Sequence, residues 1–251
     1  MTLARGSDFS RHLLVSMDVQ GYGGRDDRQH ASIQSGLLAV ADTAAGRCGL
    51  DRTTWHRQGA GDGELAILPP GTPEPAVVDD YVRELVTALA DHNHDLAAEN
   101  RMRIRIAIHH GVAMPGANGW TGQGVVGVSR LVDSAPVRGA LRAFPAADLA
   151  VLVSRQIYTD VVAQRHTSLK PGEFREVVVR QKEFTDVAWL RVPGHDVHGA
   201  QLSADPPRVP ADSAGTRVTG AAGHSYRADA ITVVNGSVDA PNAVFGIKHG
   251  S

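Results

Sequence analysis

One apolar run that carries a single acid and then falls into glycines constrains this chain most. In "HLLVSMDVQGYGGRDD", residues 12–27, Leu13, Leu14, Val15, Met17 and Val19 make a short run of buried-strand type. A carboxylate inside it, Asp18, is unfavourable to desolvate unless a cation offsets it. The glycines that follow free backbone N–H groups to approach an anion at the start of the next helix. Acid, exposed amides and helix end, in that order, predict a seat for a nucleoside triphosphate.

Beyond this run, "RDDRQHASIQSGLLAVADTAA" sets Ile33, Leu37, Val40, Ala41 and Ala44 at three-to-four spacing, with Asp26 or Asp27 as N-cap. That spacing predicts a helix buried on one face. "RTTWHRQ" and "ELAILP" read as the two strands of a hairpin around "GAGDG". "VVDDYVRELVTALADHN" predicts a second one-faced helix. "RMRIRIAIHHGVA" alternates Met102, Ile104, Ile106 and Ile108 with basic and small residues, a strand covered on one face, ended by the loop "MPGANGWTGQG". A third helix, imperfect at Pro136, is predicted over "GVVGVSRLVDSAPVRGALRAF". The strand "DLAVLVS", a short helix "RQIYTDVVAQ" and the strands "FREVVVR" and "DVAWLRV" follow. The order is β-α-β-β-α-β with additional αβ elements, an α/β (α+β) chain.

This body is expected to occupy residues 1–193. From Pro193 the composition shifts to Pro, Gly, Ala, Ser and Asp, which bury too little apolar area to offset ordering entropy, so 194–229 reads as a flexible linker. Residues 230–251 regain β-character around an Asn235-Gly236 turn. Such a tail would dock by strand addition onto a protein partner or onto its own body.

Charge and cysteine content exclude several classes. Lys and Arg number 25 against 27 Asp and Glu, without the basic surplus that DNA or RNA binding draws on. Cys48 is the one cysteine, which excludes an intramolecular disulfide and a cysteine-based zinc site. The opening "MTLARGSDFSRHLLVSMD" lacks a long apolar signal segment, so a cytoplasmic location is expected. No run approaches 18 apolar residues, so no membrane span is expected.

If the first strand and the hairpin are neighbours, Asp18 meets Asp62 of "GDG" at one sheet edge. Two carboxylates there suit Mg²⁺, an oxygen-seeking ion held by protein acids together with substrate phosphates.

At these residues the chain resembles the class III nucleotidyl cyclase catalytic domain, from about His12 to Val192. "DVQGY", Asp18–Tyr22, is similar to the family's D-[IV]-x-G-[FY]. "GDGELAIL" sets Asp62 on the second metal aspartate, and "RIAIHHG", Arg105–Gly111, matches R-x-[GA]-I-H-x-G. "GQGVVGVSRL" sets Arg130 on the transition-state arginine. The resemblance implies a ferredoxin-like βαββαβ palm-type core with a central, mostly antiparallel sheet. It implies conversion of a nucleoside triphosphate to a 3′,5′-cyclic nucleotide and pyrophosphate, with two Mg²⁺ or Mn²⁺ ions held by Asp18, Asp62 and the Val19 carbonyl. Gln20, Gly21, Tyr22 and Gly23 would lie along the nucleotide, and Lys182 would reach its triphosphate. Acids and arginine act from opposite subunits in the family, so a homodimer is implied.

The chain departs from the family at three places. Gln58 stands at the base-selecting position and, as both donor and acceptor, does not choose a base by charge. The partner base-reading acid would fall near Gly119, where Asn118 is the nearest polar residue. Val126 replaces the ribose-orienting asparagine and cannot hydrogen-bond. These departures motivate an alternative: a cyclase-like nucleotide sensor or dimerisation module without turnover. Bland readings stand beside other residues too. Lys182 also reads as a solvated turn lysine, His109 as a packed strand histidine, and "DHNHD", residues 91–95, as exposed polar residues after a helix.

Overall fold

Strand β1 (Ser10–Val19) lies inside the sheet and pairs antiparallel on both sides, with β3 (Gly63–Ile67) and with β4 (Ile104–Gly116). The structure, a computed structural model, describes residues 10–24, 26–117 and 119–202, all within a unit spanning residues 1–207. Asn118, the linker from residue 203 and the tail 230–251 lie outside the described residues.

The remaining strands are β2 (His56–Ala60), β5 (Gly119–Thr121), β6 (Leu149–Ser154), β7 (Arg175–Gln181) and β8 (Phe184–Arg191), in the order β2-β3-β1-β4-β6-β8-β7 with β5 folded back on β4. Only β4 and β6 run parallel among the described residues, because helices cross over between them. This is the mostly antiparallel α+β palm that the resemblance implied.

The period of two along β1 divides the interior. Leu13, Val15, Met17 and Val19 pack under α1 (Asp27–Arg47) and α2 (Val82–Asn93), the latter entered by a π-helical turn, Ala76–Tyr81. Leu14 faces α3 (Gln123–Val132) and α4 (Ala135–Ala143). Asp26 is the N-cap of α1, and its carboxylate accepts from the Gln29 N–H at 2.8 Å while the Gln29 side chain accepts from the Asp26 N–H.

Three local expectations are revised. "RTTWHRQ" opens with a 3₁₀ turn, Arg52–Thr54, capped by Asp51, and becomes strand only at His56, because the Asp51 side chain claims the Thr53 N–H. The loop after β4 is itself a hairpin that returns as β5. The third helix is two: α3 ends at Val132, and Pro136 sits in the first turn of α4, where its missing N–H removes no bond.

The part of the predicted linker that is described folds against the sheet. Arg175 donates to the carbonyls of Val197 and Ala200, and Val197 is 1% exposed. No helix among the described residues is long and apolar enough to cross a membrane.

Candidate functional site

Strand geometry alone gathers the polar residues of the site. Asp18 and Ser16 on β1, Leu65 on β3 and Arg105 on β4 all fall on the α3 side of the sheet, and Gln58 on β2 pairs directly with Leu65. Asp18 stands opposite Arg105 on one side and opposite Gly63 on the other.

The β2–β3 turn needs its glycines for separate reasons. Gly61 adopts φ +62°, a left-handed conformation that glycine enters freely. At Gly63 a Cβ would lie 2.4 Å from the Met17 carbonyl oxygen, so only glycine lets β3 approach β1 this closely. Between them Asp62 is carried to the end of β1, and the Val19 N–H donates to the Asp62 carbonyl at 3.0 Å. From α1, Gln34 donates to the Gly61 carbonyl at 2.9 Å and to the Tyr22 hydroxyl at 3.0 Å, tying this turn to the one after β1. Tyr22 stacks on His30 with ring centres 4.1 Å apart, and Gly21 takes φ +79°.

A cleft of about 480 Å³ opens over these strands, lined by Asp18, Asp62, Arg105, Gln58, Trp120 and Asp133 among others. Inside it Arg105 Nη2 donates to Asp18 Oδ2, an ion pair whose side chains are 9% and 17% exposed. The Asp62 carboxylate makes no hydrogen bond or ion pair with a described residue. Asp133 is engaged by Arg138 at 2.6 Å and by the Gln181 amide. Trp120 stands between His12, 5.3 Å away edge-on, and His56, 5.0 Å away. Gln58 presses its amide oxygen against Gly119, where a Cβ would lie 2.6 Å from it.

Other charges lie outside the cleft chemistry. Glu64 points to the α1 side and pairs with the buried Arg52 at 2.9 Å. Burial pushes the Glu64 carboxyl up, and the Arg52 guanidinium opposes that rise. His109 packs against Gly111 and Gly127, and burial lowers its pKa to about 4, with Asp186 opposing the fall. A second hollow of about 370 Å³ at the β8 end has matched charges, Arg191 and Glu173 at 3.0 Å.

The structure brings Asp18, Asp62, the Val19 main chain and Gln58 to one region. Gln20, Gly21, Tyr22 and Gly23 form the adjoining turn, Gln20 donating its N–H to the Arg103 carbonyl. Within one chain it does not bring Arg130, Val126 or Lys182 to the cleft wall. Helix α3 turns Val125, Ser129 and Val132 towards the cleft, leaving Val126 45% exposed and Arg130 on another face. Lys182 is exposed in the β7–β8 turn with φ +54°. Among the described residues no three His, Cys, Asp or Glu side chains group into a metal cage.

Sequence reasoning quoted Arg105 only as the start of a motif and passed over Trp120 and Asp133. The signal for Arg105 was a long cation at a position whose neighbours on the same strand face, Ala107 and His109, are small or packed.

Neither a protein-family model nor a curated protein sequence matches the chain. Solved structures do. An adenylate/guanylate cyclase/hydrolase from Silicibacter pomeroyi superposes with a TM-score of 0.54 at 18% identity, covering 75% of this chain and all of the other. A bacterial light-regulated adenylyl cyclase superposes with a TM-score of 0.50 at 12% identity, covering 74% of this chain and 91% of the other. Eight strands in this order, with helices on both faces, give the chain the fold of adenylate and guanylate cyclase catalytic domains.

Proposed function

We propose that this chain is a nucleotidyl cyclase that acts as a homodimer on a nucleoside triphosphate. The observation that carries the reading is that Asp18, at the end of the interior strand β1, and Asp62, in the turn bonded to Val19 through main chain, line one cleft together with Arg105.

The donor set fits a hard divalent cation. It consists of two carboxylates, one of them without a partner among the described residues, and the backbone carbonyl of Val19, all oxygen. Bound Mg²⁺ or Mn²⁺ would supply charge neutralisation on the phosphates and a lowered pKa for the attacking hydroxyl. Asp18, Asp62 and the Val19 carbonyl would hold it.

In the reaction the ribose 3′-oxygen bonds to the α-phosphorus as the bond from that phosphorus to the pyrophosphate oxygen breaks, and the hydroxyl proton leaves to solvent. Arg105, forked and permanently charged, would grip phosphate oxygens within the cleft. Arg130, facing away from its own acids, would complete the site of a second copy and stabilise charge that develops on the transferring group. Gly21, Tyr22 and Gly23 would border the triphosphate, Gln58 and Trp120 the base, and Lys182 of the second copy the phosphates.

Incubation with each of the four nucleoside triphosphates and Mg²⁺ or Mn²⁺, followed by chromatography, tests this. A cyclic nucleotide from at least one of them, lost in Asp18→Asn, is the expected result; intact triphosphate across the panel rejects catalysis.

One observation favours a second reading. Val126 exposes an apolar side chain where a ribose-orienting hydrogen-bond donor is expected, which suits a module that binds nucleotide without turning it over. Calorimetry showing metal-dependent binding beside intact substrate would support that reading.

A further inference from the structure

We propose that strand β7 is a self-association edge, at which two copies of this chain pair β7 against β7 in antiparallel register about a two-fold axis at Val178. The contact is separate from the proposed nucleotide site. β7 stands at the opposite end of the sheet order from the β2–β3 hairpin that carries Asp62, and none of its residues lines the cleft.

The edge is open and regular. Among the described residues β7 pairs with β8 alone, so alternate backbone N–H and C=O groups along it point outward. Its register with β8 runs unbroken from Arg175 opposite Leu190 to Gln181 opposite Phe184, without a bulge to twist the edge away, and "REVVVRQ" has no proline.

The side chains divide by the period of two. On the α3 side Val177 and Val179 are buried, Arg175 donates to the Val197 and Ala200 carbonyls, and Gln181 donates to Asp133. On the other side Glu176, Val178 and Arg180 are exposed, Val178 at 48%. Neither of these two charges forms an ion pair with a described residue. Val187 and Trp189, their partly buried neighbours on β8, extend the apolar surface beside Val178.

The order acid, valine, base selects the partner. Antiparallel pairing about Val178 sets Glu176 of each copy opposite Arg180 of the other and brings the two Val178 side chains together on the axis. A register two residues away sets a charge against Val178 instead, and a parallel pairing in register sets like against like. A seven-residue edge is a small interface, so the association is weak and rises with concentration.

The test follows the full chain by sedimentation velocity over a concentration series. Glu176→Arg and Arg180→Glu each set like charges opposite one another twice, and each is expected to weaken association by about tenfold or more. Mixed in equal amounts, the two variants regain opposite charges at both pairs, and association should return to that of the natural chain. Val178→Lys, which sets two cations on the axis, should weaken it too, and thermal melts by circular dichroism check that every variant is folded. In hydrogen exchange the β7 amides of the natural chain should gain protection as its concentration rises. Association that none of the variants changes overturns the contact and leaves the proposed catalytic homodimer standing. Weakening without recovery in the mixture overturns the two-fold register. Protection of β7 that does not depend on concentration assigns the edge to an occupant within the same chain and overturns the second copy.

Discussion

The Val19 N–H donates to the Asp62 carbonyl at 3.0 Å, which ties the end of β1 to the β2–β3 turn through main chain alone. The bond holds the turn that carries Asp62 against the strand that carries Asp18, and Gly63 is the residue that permits this approach. A Gly63→Ala side chain would meet the Met17 carbonyl oxygen at 2.4 Å, rigid backbone that cannot rotate away. We expect Gly63→Ala to destabilise the fold by roughly 1–3 kcal/mol, the range for overpacking, measured as a lower denaturant midpoint. Metal-dependent binding should weaken as well, since the turn must move off β1. An unchanged midpoint would show that the strands separate without penalty.

Val126 is exposed on α3 one turn before Arg130, so a polar replacement faces no packing obstacle. If the chain is a cyclase, Val126→Asn restores a donor next to the ribose. One well-placed donor is worth about 10²–10³ in rate, and a gain of at least about tenfold in product formation is expected with little change in melting temperature. A loss of activity would show that the apolar side chain is itself a substrate contact.

Arg130 is not among the residues that line the cleft holding Asp18, so in the proposed cyclase the two would meet between copies. Asp18→Asn and Arg130→Ala should each be inactive alone. Mixed in equal amounts and allowed to exchange subunits, half of the dimers are mixed and each carries one intact site, so about a quarter of the natural activity should return. No recovery despite subunit exchange would place both residues in the same chain's site.

His109 is held in its neutral form by burial, with a pKa of about 4 in the folded chain against about 6.5 when unfolded. Its folded pKa is depressed, so the unfolded chain binds its proton first as the pH falls. The associated stability is complete above about pH 6.5, declines between there and pH 4, and levels off below. The full loss is roughly 3 kcal/mol. Chemical denaturation at pH 7, 5.5 and 4 should show this decline in the natural chain and a smaller one in His109→Gln. Parallel pH profiles would show that the imidazole reaches solvent when protonated.

Particular residues show where reading the sequence succeeded. The spacing of Ile33, Leu37, Val40 and Ala44 and the Asp26 cap are local properties, and α1 appears with that face buried and that cap formed. The alternation at Ile104, Ile106 and Ile108 marks the side of β4 under α1 and α2, but the expectation of one covered face is corrected, because Arg105 and Ala107 on the opposite side are buried as well, on the side where α3 packs. Break points were harder to read. Pro136 marks an interruption between helices, but whether it ends one helix or starts the next depends on where Asp133 and Ser134 turn the chain.

Local pattern was enough for most elements, their order and the two acids set beside glycines, though not for β5 or the division of α3 from α4, because periodicity, capping and turn chemistry act between residues a few positions apart. Tertiary structure decided the neighbours: that β1 lies between β3 and β4, that Arg105 faces Asp18 across 87 positions of chain, and that Trp120 and Asp133 reach the same cleft. Those relations are set by strand register and by helix docking at glycines such as Gly111 and Gly124, where a Cβ would meet opposing backbone under 3 Å away. They are long-range packing choices, which a local pattern does not encode.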